Sequence, residues 1–186
     1  LSQAELLAFI AGVLDSMGLD WMLVGSHAAS FYGEPRSTHD VDIVVDLPHE
    51  LISQLLDKVD ASRYYLSESA LREGRMANLI DMQTGDKVDL FLSGSIPQNQ
   101  AALSRRRRET VLGVHTALAS PEDTILAKLR WNQQIGGSER QIRDIRGIVH
   151  VQADKLDWDL LHREIELQGF WAIWKAQIVS DAEGNQ

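Results

Sequence analysis

Cysteine is absent from the chain, which excludes disulfides and thiolate metal sites and is compatible with the reducing cytoplasm. Long hydrophobic runs are missing too, since no apolar stretch approaches the roughly 18 residues that a membrane span needs. The first segment, residues 1–17, holds Glu5 and Asp15 and lacks a basic flank, so it is expected to be an ordinary helix and not a secretory leader. Histidine is sparse, and the six that occur are scattered without an i,i+4 pair, which argues against a zinc site. Positive charge is in deficit. A net charge of −9 argues against a general nucleic-acid coat protein, although "SRRRRE" at 104–109 and Arg140, Arg143 and Arg146 form local basic patches. These patches read as solvated helical faces.

What is present is ordinary for a globular protein. The 186 residues are 44% hydrophobic and 24% charged, enough for one domain, or a domain with a small appendage, around a sizeable core. Leu6, Ile10, Val13, Leu14 and Met17 recur at helical spacing, which predicts a helix over 2–17. "WMLVG" at 21–25 reads as a short buried strand, "SHAASFYG" as a helix stopped by Gly33, and 40–45 as a second strand. Pro48 opens a helix with a stripe of Leu51, Ile52, Leu55, Leu56 and Val59. "RYYLS" reads as a strand, "ESALREG" as a short helix, and "MANLIDMQTGDKVDLFL" as a hairpin turning at Thr84-Gly85-Asp86.

Past Gly94 a helical segment runs to about Arg107, with Arg105 to Arg108 as its solvated end, and an edge strand follows around 109–117. From Ser120 the pattern is helical. Ser120 is the expected cap of a helix over 121–135, Ser138 of one over 139–151, and shorter helices follow at 157–168 and 170–179. The expected fold is α/β (α+β), with a short, mixed, twisted sheet flanked by helices over 1–118. A helical unit packed on that core spans 119–180, and 181–186 is a disordered tail.

One strand is chemically out of place. Asp40 and Asp42 punctuate the apolar run Val41, Ile43, Val44 and Val45, and burying a carboxylate costs several kcal/mol, roughly, without a compensating partner. Strand geometry puts residues i and i+2 on one face about 6.5–7 Å apart, so the oxygens of Asp40 and Asp42 can converge on hard cations. Asp89, between Val88 and Leu90, is a third acid in similar company. Three carboxylates from two strands suit two-metal phosphoryl chemistry, in which one of them accepts the nucleophile's proton. Asp46, at the strand end, reads as simply solvated, and His39 is expected to face away from Asp40. Gly25-Ser26 follows a strand and opens a helix, where N–H groups can hold a phosphate and glycine permits close approach. Arg36 and Thr38, in the loop before the acidic strand, are candidates to touch phosphate or acceptor.

Gly25-Ser26, thirteen intervening residues and then Asp40-Val41-Asp42-Ile43 resemble the signature of the DNA-polymerase-beta-like nucleotidyltransferase superfamily, with Asp89 where its third carboxylate stands. The stretch "SPEDTILAKLRWNQQIGGSERQIRDIRGIV" is similar to the helical part of small bacterial members, including relatives of abortive-infection nucleotidyltransferase toxins. The resemblance implies a nucleoside triphosphate held by the Gly-Ser turn and Asp40 and Asp42 on Mg²⁺ or Mn²⁺. It implies Asp89 as metal ligand and base. Lys128 matches a lysine that meets nucleotide phosphates, although a stem packed on Trp131 explains it nearly as well. Asp144, after Arg143, resembles a basic-residue–Asp pair, while Gln141 stands where the toxin relatives carry arginine. The simpler reading of Asp144 is an i,i+4 surface pair with Arg140.

The function expected is metal-dependent transfer of a nucleoside monophosphate from an NTP to a hydroxyl, with pyrophosphate released. The acceptor is open among RNA, protein, antibiotic and metabolite. Two readings compete. A non-catalytic nucleotide-binding or toxin–antitoxin module would keep the fold without turnover. A glycosyltransferase would use Asp-x-Asp for a sugar nucleotide, although the Gly-Ser turn ahead of the pair disfavours it.

Overall fold

The computed structural model describes residues 3–179, so the expected tail at 181–186 lies outside the described residues. The chain divides into two compact units. One takes the residues up to His27 together with Ser37–Ala119, and the other takes Ala28–Arg36 with the residues from Ser120 on.

In the first unit, helix α1 (Gln3–Ser16) leads into strand β1 (Trp21–Leu23), the start of helix α2 (Gly25–Tyr32, which passes into the second unit at Ala28) and strand β2 (Val41–Val45). Helix α3 (Ile52–Lys58), strand β3 (Tyr64–Leu66), helix α4 (Glu68–Glu73) and strands β4 (Met76–Asp81) and β5 (Lys87–Leu92) come next. Helix α5 (Pro97–Ser104) and strands β6 (Arg107–Val111) and β7 (Val114–Leu118) complete it. The seven strands form one sheet in the order β3-β4-β5-β2-β1-β7-β6. Pairs β1/β7 and β2/β5 are parallel and the others antiparallel, so the sheet is mixed as expected.

The alternation of β2 and β5 gives the two faces of this sheet different characters. Val41, Ile43, Val45, Val88 and Leu90 are buried, as are Leu6, Leu7, Ile10 and Leu14 of α1, which contacts β5 and β7. The Trp21 indole N–H donates to Asp15 Oδ1 at 2.7 Å and ties β1 to α1. On the opposite face, Met22 and Val44 pack with Ala102 and Leu103 of α5 and with Ala117 and Ala119. That second face is apolar at one end only; farther along the same strands it carries Asp42 and Asp89.

The β4–β5 turn falls at Thr84-Gly85-Asp86, with Gly85 at φ +79°. Its anchor is Asp81, whose fully buried carboxylate accepts from the Gln83 N–H at 2.9 Å and from Arg63 at 3.0 Å. Burial alone would raise the Asp81 carboxyl, but these bonds outweigh it and hold it below the ordinary carboxylate range.

The stretch expected to be one edge strand around 109–117 is instead a hairpin, β6 and β7, turning through Leu112 and Gly113, both at positive φ. Arg107 and Arg108 accordingly lie on β6, not at a helix end, and Arg106 pairs with Asp20.

The second unit contains helices α6 (Pro121–Gln134), α7 (Glu139–Gln152), α8 (Trp158–Leu167) and α9 (Trp171–Trp174). The Ser120 hydroxyl caps α6, accepting from the Asp123 N–H at 3.0 Å and donating to the Asp123 carboxylate at 2.8 Å. Ser138 takes the cap position of α7, held by its own N–H to Asn132 Oδ1 and not through its hydroxyl. The segment after α2 runs tight against α7. A Cβ on Gly33 would stand 2.8 Å from the Ile148 nitrogen and 2.9 Å from the Gly147 carbonyl carbon. Among the described residues, no helix is long and apolar enough to cross a membrane.

Candidate active site

The corner between β1 and α2 is where sequence and geometry meet most sharply. The Val24 N–H donates to the Asp42 carbonyl at 2.9 Å, which carries the β1–β2 ladder up to Gly25. Gly25 adopts φ +64°, and a Cβ there would sit 2.1 Å from Asp42 Oδ2. Both facts demand glycine, one through backbone strain and the other through space. Ser26 follows in the first turn of α2, where backbone N–H groups have no helical acceptor.

Parallel pairing of β2 with β5 makes Asp42 and Asp89 register partners, and antiparallel pairing of β5 with β4 puts Asn78 opposite Asp89. Paired residues point to the same face, so Asp42, Asp89 and Asn78 form a polar row across three strands. One step along, the Val41–Val88 register puts Lys87 beside Asp40, which lies immediately before β2 and not on it. Lys87 Nζ approaches Asp89 Oδ2 at 3.0 Å, Asp89 Oδ1 at 3.2 Å and Asp40 Oδ1 at 3.4 Å. Asn78 Nδ2 donates to Asp89 Oδ1 at 2.6 Å. The hydrogen bond to Asp89 holds the Lys87 ammonium above its ordinary value; partial desolvation opposes the rise and the charges of Asp89 and Asp40 reinforce it.

Asp89 is far more enclosed than Asp40, its side chain 13% exposed against 51%. Among the described residues, no three acidic or imidazole side chains stand together as a ready-made ion cage. Both Asp89 oxygens are instead engaged by Asn78 and Lys87. The donor set is nonetheless one that hard divalent cations prefer, and it already holds one cationic group.

In the second unit Lys128, Asp144 and Arg36 come together. Lys128 Nζ donates to Asp144 Oδ2 at 2.7 Å and to Gln141 Oε1 at 3.0 Å, while Arg36 Nε and Nη2 donate to Asp144 at 3.0 and 3.1 Å. Two cations share one carboxylate whose side chain is 6% exposed. The expected surface pair of Asp144 with Arg140 is therefore corrected: Asp144 turns inward, and helical spacing cannot see partners from α6 and the 28–36 segment. Burial pushes the Asp144 carboxyl up, but the bonds from Arg36 and Lys128 prevail and hold it below the usual range.

A carboxyl depressed in the folded protein contributes stability above its unfolded value, near 4, and that stability is lost as pH falls through the folded value. Asp144→Asn is thus expected to cost about 3 kcal/mol at neutral pH, the low end for breaking a buried pair, because Arg36 is partly exposed. Chemical denaturation from pH 7 to pH 3 should show the wild-type advantage shrinking below pH 4. A gap that stays constant across that range would mean the charge is not its source.

The remaining candidates are less involved. The Thr38 carbonyl accepts from Gln3 Nε2 at 2.9 Å. Asp46 is not merely solvated, since it accepts from the Ser93 hydroxyl at 2.8 Å and from Gln100 at 3.0 Å. His39 precedes β2, so strand alternation does not govern its direction. Lys87 and Asn78 were outside the sequence reading. Their one signal was parity, because both alternate in phase with the site face of their strands.

No family model matches the sequence, and neither does any curated protein. Solved structures do resemble the chain. An antigenic nucleotidyltransferase-like protein from Paracoccidioides brasiliensis superposes with a TM-score of 0.59 at 22% identity, covering 94% of this chain and 91% of its own. The antibiotic-resistance factor ANT(2″)-Ia, in complex with adenylyl-2″-tobramycin, gives a TM-score of 0.62 at 14% identity over 90% of this chain and 99% of its own. The lincosamide antibiotic adenylyltransferase LnuA, bound to lincomycin, gives 0.55 at 13% identity over 81% of this chain and 98% of its own. At these identities the likeness concerns fold, and the fold of this chain is that of the nucleotidyltransferases.

Proposed function

We propose that the chain is a nucleotidyltransferase that moves a nucleoside monophosphate from an NTP, ATP among the candidates, to a hydroxyl acceptor in the cytoplasm. The observation that carries this reading is the in-register Asp42–Asp89 pair beside Gly25, where a side chain would collide with the Asp42 carboxylate. The Gly25-Ser26 turn would receive the triphosphate on the N–H groups of α2. Asp40, Asp42 and Asp89 would hold Mg²⁺ or Mn²⁺, which when bound neutralises phosphate charge and activates the attacking hydroxyl. Asp89 would accept the proton of that hydroxyl as its oxygen bonds to the α-phosphorus and the bond to pyrophosphate breaks. Lys128 is retained as a phosphate contact. Arg36 and Asp144 are then its positioning partners, and Thr38 stays a candidate near the acceptor.

The acceptor is the open half of the proposal. Residues 120–149 resemble abortive-infection relatives, which favours RNA or protein. Two structural neighbours were solved with an antibiotic or its adenylyl derivative, which adds antibiotic hydroxyls to the panel. The test is pyrophosphate release with each labelled NTP and Mg²⁺, offered cell RNA, cell protein, an aminoglycoside and a lincosamide, with Asp42→Asn as control. Label transfer that disappears in the control supports the proposal. Calorimetric NTP binding without release for every acceptor would favour the non-catalytic nucleotide-binding module.

A further inference from the structure

We infer that Lys87 is the built-in counter-ion of the acidic site, which a divalent cation must displace to bind. The inference rests on the reading of Asp40, Asp42 and Asp89 as metal ligands and adds the residue that regulates their occupancy.

Register makes the placement obligatory. Lys87 precedes Asp89 by two residues on β5, so the two share a face, and the Val41–Val88 pairing brings Asp40 alongside. The ammonium lies within 3.0–3.4 Å of oxygens from both acids. With Asn78 it uses both Asp89 oxygens, the atoms a metal would need. Without it, Asp89 would keep a nearly enclosed negative charge beside Asp42 and Asp40, stabilised by one amide. The ammonium thus stabilises the metal-free fold and competes with the incoming ion, two effects of one charge. Lys87 is also 39% exposed, so its stem can swing to solvent when a doubly charged ion takes its place.

Lys87→Met keeps the stem and removes the charge. Mn²⁺ titration by calorimetry at fixed ionic strength should give about fivefold tighter binding than wild type, the effect of one charge at a screened, partly exposed site. The metal-free melting temperature of this variant should fall and recover when Mn²⁺ is added. Lys87→Arg, which keeps the charge, should retain wild-type affinity.

Equal or weaker Mn²⁺ binding by Lys87→Met, while Asp89→Asn abolishes binding, would overturn the counter-ion role and leave the metal site standing. Equal tightening by Met and Arg would also overturn it, because charge would then not be the cause. Wild-type Mn²⁺ affinity in both Asp42→Asn and Asp89→Asn would remove the metal site itself, and this inference with it.

Discussion

Replacing Gly25 with alanine is expected to lower nucleotide transfer at least a hundredfold and to destabilise the sheet unit. Two costs add. An L-residue at φ +64° carries roughly 1–2 kcal/mol of backbone strain. The new methyl, 2.1 Å from Asp42 Oδ2, must also drive the carboxylate out of line with Asp89 or push β1 off β2. A displacement of this kind near 1 Å is enough to lose about 10²-fold in rate. Gly85→Ala supplies the control, since it has φ +79° and nothing within 4 Å of the added Cβ, so it bears the strain alone. Thermal melts of both variants, paired with pyrophosphate release, separate the terms. Gly25→Ala with wild-type turnover would show that the Asp42 position does not govern the chemistry.

Asp89→Asn should produce the opposite pattern, with stability nearly kept and catalysis lost. The amide preserves shape and can still accept from Asn78, yet it neither takes a proton nor offers a full charge to a cation. NTP affinity should change by no more than a few-fold, because the Gly25-Ser26 turn and Asp42 remain. Turnover should fall about 10³-fold or more, the combined scale of general-base and metal-clamp losses. Single-turnover kinetics at saturating NTP distinguishes a slowed chemical step from weak binding. Unchanged release would mean that another group removes the acceptor's proton.

The mixed sheet and the helical second half were readable because their signals are local. Strand alternation, the Thr84-Gly85-Asp86 turn and the Ser120-Pro121 helix start each act within a few residues. The β6–β7 hairpin escaped because its turn places Leu112 at φ +54°, a conformation that no propensity assigns to leucine, and the arginines before it suggested a helix end. Alternation singled out Asp42 and Asp89 separately. Their shared register depends on a parallel pairing between strands separated by two other strands and two helices, which no local pattern encodes. The partners of Asp144 are illegible in the sequence for a related reason. Helical spacing offered Arg140, while the deciding cations arrive from α6 and from residue 36.

The path of the backbone decides what can be cut from this protein and what cannot. The chain enters the second unit at Ala28, leaves it after Arg36 and returns at Ser120. A fragment ending at residue 119 would keep every strand of the described residues and all three acids, yet it would leave the nine-residue excursion without the Gly147–Ile148 backbone against which Gly33 is pressed. Helix α2, eight residues long, is too short to persist unaided, and its first turn is the one proposed to receive the triphosphate. The C-terminal helices are therefore no detachable cassette. Grafting them from a relative would succeed only if residues 28–36 travelled with them, and the graft boundary would fall inside α2, within a turn of Ser26.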